Sequence, residues 1–314
     1  TTFALAPVAA STSMEAPPLF ITYSLTDGRV YRLETLEGSI PDDISLGLDS
    51  LSERADDSYL NMSPDGLWLV LATERFAGEC DGWPCLAVVA ADLKEGGVVR
   101  IGPEQGRLVH PDPGLPAVAS GGQLVVYQQE AVISTHFTDL FAVSRSGGEW
   151  GAPTVLTGDS TFFWHANPAI SDDGSVVLFE CGDRESGGHS ICEVGADGRG
   201  FRVALTPEES PPGGPSEGSL TNPDYTSGGG IIFGADWDDP GVWYLPLGES
   251  VSIIMGGEHR WPCVLSDGRI AAAYQERTAG AGPPDLHLRT LQHDGSGSAT
   301  VAVLECAGDV VGGI

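Results

Sequence analysis

The sequence predicts an all-β fold, a six-bladed β-propeller of four-stranded antiparallel blades, on three observations. A turn signal closes a strand-like run near Gly38, Gly96, Gly147, Gly198, Gly248 and Gly295, at intervals of 47 to 58 residues, the length of one blade with generous loops. The runs before those turns (VYRLETL, LAVVAA, LFAVS, SICEVG, VWYLPL and LHLRTL) are short and partly β-branched or aromatic. With 43 Gly and 22 Pro in 314 residues and little apolar patterning at helical spacing, the chain is rich in turns and poor in helix formers.

A second punctuation mark precedes five of these runs: Ser63-Pro-Asp-Gly66, Ser120-Gly-Gly122, Ser171-Asp-Asp-Gly174, Thr226-Ser-Gly-Gly229 and Leu265-Ser-Asp-Gly268. Each leads into an apolar run, namely LWLVLA, QLVVYQ, SVVLFE, GIIFGA and RIAAAY. The repeating unit is therefore an innermost strand A, a Gly turn, strand B, a variable loop, strand C, a second Gly turn and an outer strand D. Residues 19–314 divide into blades at about 19–50, 56–102, 108–158, 163–207, 219–256 and 259–306.

The stretch from Asn167 to Leu205, NPAISDDGSVVLFECGDRESGGHSICEVGADGRGFRVAL, resembles the repeat of the TolB-like, WD40-like six-bladed propellers. Their core reads as Ser-Pro-Asp-Gly, apolar strand, polar loop, apolar strand, Asp-Gly. The likeness covers blades 2, 4 and 6 closely and blades 3 and 5 loosely. It implies a closed ring and a role as a protein-binding module, a sensor or, less often, an enzyme.

Blade 1 departs from the unit, because only ten residues separate Gly28 from Gly38. Its missing strand has two candidate donors, Val310 to Ile314 within segment 307–314, or Phe3 to Ala9 within the lead-in 1–18. Either closes the ring with a terminal strand and removes two open sheet edges.

The charge of −29, from 15 basic and 44 acidic residues, excludes nucleic acid and anionic membrane as natural partners. No apolar run approaches the ~20 residues of a membrane span. The chain opens on Thr1 rather than Met, as expected after removal of a signal peptide or, equally, after truncation. Six cysteines, an even number, suit an oxidising, extracytoplasmic compartment (periplasm, cell surface or secreted). Cys80 pairs with Cys85 and Cys181 with Cys192, each across a B–C loop, and Cys263 with Cys306 as a staple on ring closure. Zinc is the weaker reading of these cysteines, since CxxC pairs are absent.

Counting back nine residues from Gly66, Gly174 and Gly268 gives Asp57, His165 and His259, and counting back seven gives Tyr59, Asn167 and Trp261. Asn222 holds the second position in blade 5. Equivalent positions on innermost strands are expected to ring one mouth of the channel. Trp164, His165, Asn167, Asn222, Arg260, Trp261 and Tyr59 are the candidate ligand contacts, for a protein, peptide or glycan bound by a monomer. His165, His259 and Asp57, with His110 as a further imidazole, are the candidate ligands of a divalent transition metal. The TolB-like resemblance lends this second reading some weight, because certain propeller lyases acting on oligogalacturonate use a His-rich metal site. It implies a lyase or hydrolase of an acidic sugar.

Asp236, Asp238 and Asp239 offer hard oxygen ligands for calcium but lack the EF-hand Gly and terminal Glu. Gly214-Pro-Ser-Glu-Gly218 matches a nucleophile elbow by letters alone, in a Pro/Gly loop without flanking strand and helix, so Ser216 is a loop residue and no catalytic residue is assigned. Asn61-Met-Ser63 is likewise a sequon by letters, on a predicted inner strand.

Overall fold

The Ser-x-Asp-Gly turns show how the repeat is built. In the first of them Gly66 takes φ 68°, which a side chain would resist, and its N–H donates to the Ser63 carbonyl at 2.8 Å. The Ser63 hydroxyl accepts the Trp68 N–H at 2.9 Å, while Asp65 Oδ1 accepts the Leu67 N–H at 3.1 Å. The same scheme recurs around Ser171, Asp173 and Gly174, where the Val176 and Ser175 N–H groups donate at 3.0 and 2.9 Å. Identical turn chemistry thus starts strand B at the same phase in separate repeats.

The computed structural model describes residues 20–24, 30–34, 42–43, 57–73, 86–102, 116–131, 136–183, 188–209, 218–257, 259–265, 267–276, 285–292 and 294–304. Their strands run β1 (Phe20–Ser24), β2 (Val30–Glu34) and β3 (Asp42–Asp43), then β4 (Asp57–Met62), β5 (Trp68–Thr73), β6 (Ala87–Asp92) and β7 (Val98–Gly102). Blade 3 holds β8 (Ala117–Val118), β9 (Leu124–Glu130), β10 (Thr138–Ser146), β11 (Glu149–Trp150) and β12 (Thr154–Val155). Blade 4 holds β13 (Trp164–Ile170), β14 (Val176–Gly182), β15 (His189–Gly195) and β16 (Arg202–Leu205). Blade 5 holds β17 (Leu220–Tyr225), β18 (Ile231–Ala235), β19 (Gly241–Leu245) and β20 (Ser252–Gly256), and blade 6 holds β21 (His259–Val264), β22 (Ile270–Glu276), β23 (Asp285–Leu291) and β24 (Ala299–Leu304).

All these pairings are antiparallel, and they join consecutive strands except at β12, which pairs with β10 rather than β11. The innermost strands of successive sheets touch, β1 with β4, β4 with β8, β8 with β13, β13 with β17 and β17 with β21. The fold is therefore a propeller of four-stranded antiparallel blades. It has five complete blades where six were expected, since the first sheet contains three strands, β1 to β3, among the described residues. The physical reason is the short spacing between Gly28 and Gly38, which leaves no length for a full run of strands. Both candidate ring-closing segments, Phe3–Ala9 and Val310–Ile314, lie outside the described residues, as do His110, Cys80, Ser216 and Cys306.

Apolar packing sits between sheets rather than within one centre. Trp68, Val70, Val125, Tyr127 and Val143 join blades 2 and 3. Val126, Leu140, Phe179 and Cys181 join blades 3 and 4, and Leu178, Ile191, Leu220 and Phe233 join blades 4 and 5. Ile232, Val242, Ile270 and Leu291 continue the pattern to blade 6. Strand alternation sends odd and even residues to opposite neighbours, so one blade feeds two cores. No helix among the described residues is long and apolar enough to cross a membrane.

Candidate functional site

Tyr59, Asn167, Asn222 and Trp261 share one backbone conformation, with φ of 52°, 47°, 48° and 51°. Each sits where the pairing of its innermost strand shifts register, between Ser58 and Asn61, Ala166 and Ala169, Thr221 and Asp224, and Arg260 and Cys263. These are β-bulges with a left-handed residue, a device that bends a strand and re-aims its side chains. Asn tolerates this region, whereas Tyr and Trp are held there at a cost of about 1–2 kcal/mol each.

Blades 4 and 5 are tied together at this level. Glu180, buried in β14, accepts the Asn167 side-chain amide and, at 2.7 Å, the Asn222 N–H of the next blade through the same oxygen. His189 Nδ1 lies 3.5 Å from the other oxygen of Glu180. The His189 ring, one-third exposed, stacks on Trp164 with centroids 4.3 Å apart. That stack spans three strands, since Trp164 and His189 both pair with Gly182. A Cβ at Gly182 would come within 3.0 Å of the His189 ring, so glycine makes room for it. Glu180 and His189 were not singled out in the sequence; the available signal was an acidic residue ending the otherwise apolar run SVVLFE.

The two histidines read as joint metal ligands are not joined. His165 is fully buried on the blade 3 side of β13, where its Nδ1–H donates to the Thr138 carbonyl at 2.6 Å and Nε2 accepts the Ser160 hydroxyl at 2.8 Å. His259 lies against the link from blade 5, its Nδ1–H donating to the Gly256 carbonyl at 2.6 Å and its ring stacked on Tyr274 at 4.7 Å. Both imidazoles thus face the preceding blade, because strand alternation places them flat against it. Burial pushes the His165 pKa down to about 4, against the opposing pull of the Thr138 carbonyl. Burial also lowers that of His259, with the Arg289 charge adding to the effect.

Among the described residues, three metal-capable side chains come within 4.8 Å of one another at one place, His136, Asp139 and His165. Two of these were not anticipated. Their ligand atoms are engaged: His136 Nδ1 with Asp139 at 2.7 Å, His136 Nε2 with the Ser160 carbonyl at 3.1 Å, and Asp139 Oδ1 with the Thr157 hydroxyl at 2.8 Å. A divalent ion would have to break this set, and the donors fit the role of an inter-blade hydrogen-bond network better than a metal centre. Ser160 and His165 have the separation of a nucleophile and its base, yet Ser160 is 8% exposed and His165 is sealed.

Asp57 opens β4, with its backbone opposite Thr73, and Arg260 pairs with Ala273; their side chains lie outside the described residues. Asp236 accepts the Ser219 N–H, and Asp238 and Asp239 are exposed around the buried Trp237. Cys181 and Cys192 are bonded across adjacent strands with Cα atoms 5.9 Å apart. Cys263 is a free thiol, its pKa pushed up by burial and by the neighbouring Asp224 carboxylate.

Stacked four-stranded sheets joined through their innermost strands define the class as β-propeller. Among solved structures the chain is similar to TolB from Acinetobacter baumannii, with TM-score 0.64, 14% identity, and coverage of 92% of this chain and 64% of that one. It is also similar to a TolB of Agrobacterium tumefaciens (TM-score 0.55, 16% identity, 91% and 88% covered). A chain of the nidogen/laminin complex matches with TM-score 0.53, 11% identity, and 91% and 92% covered. These identities show the fold alone, and the chain spans just under two thirds of the Acinetobacter protein. No protein-family model matches the sequence, and no curated protein matches it.

Proposed function

We propose that this chain is an extracytoplasmic, non-catalytic propeller that binds a protein or peptide partner across the face formed by its bulged innermost strands. One observation carries the reading: Tyr59 and Trp261 are bulky aromatic residues, each partly exposed, kept in a left-handed conformation where blades 4 and 5 place Asn. Strain of that kind persists where the side chain's position matters more than local stability. Trp164 on His189 adds a third partly exposed aromatic face, and such faces bind peptide or sugar with little loss of side-chain entropy.

The nidogen/laminin complex among the similar structures supports protein recognition by this fold. The Cys181–Cys192 bond supports an oxidising compartment. A metal-dependent lyase or hydrolase has less support, because His165 and His259 spend their Nδ1 protons on separate main-chain carbonyls.

Affinity capture from an extract of the source cells, run in parallel with the parent chain and with a Tyr59→Asn/Trp261→Asn double variant, tests this reading. A partner retained by the parent and lost by the folded variant is expected. Identical retention by both overturns it.

A further inference from the structure

Acidic residues outnumber basic ones 44 to 15 in this chain, so an arginine with no carboxylate beside it among the described residues is informative. Arg202 pairs with Glu193 and Arg269 with Asp267, as so acidic a sequence would lead one to expect. Arg289, on β23, pairs with no carboxylate among the described residues. Its guanidinium lies 4.8 Å from the centre of the Tyr274 ring, and Nη1 donates to His259 Nε2 at 3.5 Å. Its Nε–H is buried and has no hydrogen-bond acceptor among the described residues.

The surroundings are those of an arginine held in place. His259 stacks on Tyr274 from the adjacent strand, with its own Nδ1–H fixed to the Gly256 carbonyl. His287, directly opposite Tyr274 on β23, approaches the same ring at 5.9 Å. Tyr274, His287 and Arg289 are all partly exposed, on the blade face turned toward blade 5. A stacked, oriented guanidinium loses little freedom on binding, and its planar Nε/Nη2 edge matches the two oxygens of a carboxylate or phosphate. A buried N–H lacking an acceptor is costly unless a ligand or water supplies one.

We infer that Arg289, backed by Tyr274 and flanked by His259 and His287, forms a binding site for an oxyanion, carboxylate or phosphate, between blades 5 and 6. The site lies beside the Trp261 bulge, since Arg289 pairs with Ala272 opposite it, but the inference does not rest on what binds at the bulged positions.

Heteronuclear NMR of the arginine Nε–Hε signals tests it directly, titrating the full chain with acetate, inorganic phosphate and chloride at matched ionic strength. The signal that disappears in Arg289→Gln is expected to move saturably with acetate or phosphate and not with chloride. The arm that saturates at lower concentration names the ligand chemistry. Arg289→Lys, which keeps the charge and loses the planar fork, is expected to weaken binding about tenfold, seen as loss of oxyanion-induced thermal stabilisation. An Arg289 signal unmoved by either oxyanion, or moved equally by chloride, overturns the proposal. So does equal stabilisation of the parent and both variants.

Discussion

Asn61 and Asp224 occupy the same place in different blades, two residues past the left-handed residue, and each accepts a backbone N–H from the innermost strand of the following blade. Val118 donates to Asn61 Oδ1 at 3.4 Å, and Val264 to Asp224 Oδ2 at 2.8 Å. Blade 4 has Ala169 at this place, and there Glu180 reaches across to the Asn222 N–H instead. One structural task, tying strand A to strand A around the ring, is thus met by three different side chains.

Asp224 carries a charge where blade 2 manages with an amide. Burial pushes its pKa up to about 6, against the Val264 and Tyr225 N–H groups that favour the anion. A carboxyl whose folded pKa lies above its unfolded value penalises the folded state above pH 6, and the penalty fades as pH falls from 6 toward 4. Relative to the parent, Asp224→Asn is therefore expected to gain about 1–3 kcal/mol between pH 4 and pH 8, on top of a pH-independent loss from the one backbone N–H, of Val264 or Tyr225, that the amide nitrogen cannot accept. Urea unfolding at the two pH values checks this.

His165 responds in the opposite direction. Its folded pKa of about 4 lies below the ordinary value of 6.5, so it must stay neutral in the folded chain while the unfolded chain takes up a proton. Its contribution is complete above pH 6.5 and is lost as pH falls from 6.5 toward 4. His165→Gln is expected to lose about 2–4 kcal/mol at neutral pH, through the unpaired Thr138 carbonyl and Ser160 hydroxyl, and to show a flatter profile between pH 6.5 and 4. Denaturation midpoints across that window, set against the parent, read both effects.

The Cys181–Cys192 bond closes a loop of 11 residues. Its removal as a Cys181→Ala/Cys192→Ala pair is expected to cost about 2–3 kcal/mol by chain entropy, plus some lost packing against Phe179 and Leu140. Calorimetry of parent and variant measures the loss, and peptide mapping without reduction detects the bond. The same map settles whether Cys263, free in this structure, is bonded in the purified protein.

Trp261→Asn places in blade 6 the residue that blades 4 and 5 already hold left-handed. Relief of backbone strain is expected to recover about 1 kcal/mol, offset in part by lost ring contacts, so the thermal midpoint stays level or rises. Partner affinity is expected to fall, a separation of stability from function typical of binding residues. Differential scanning fluorimetry alongside binding checks the pair of outcomes.

The repeat unit was legible because turn chemistry repeats literally: Ser63 and Ser171, Asp65 and Asp173, Gly66 and Gly174 make the same bonds. Counting from those glycines also aligned Tyr59, Asn167, Asn222 and Trp261, whose shared left-handed geometry follows from a fixed distance between turn and bulge. The direction of His165 and His259 was not legible. Side chains alternate along a strand, and a bulge shifts the phase, so spacing alone does not separate a residue facing the channel from one facing the next blade. The partners of His165, namely His136, Thr138, Asp139 and Ser160, come from a preceding blade and its link, at separations that carry no motif. The five complete blades, against six expected, reflect a first repeat too short for its own four strands.

On the proposed reading, the bulged aromatic positions recognise the partner without a metal. The most direct test is calorimetry of the captured partner against the parent and Trp261→Asn, each with and without EDTA. At least a tenfold loss of affinity in the variant, with EDTA making no difference, is the result expected. Equal affinity for both chains, or affinity abolished by EDTA in the parent, would contradict it.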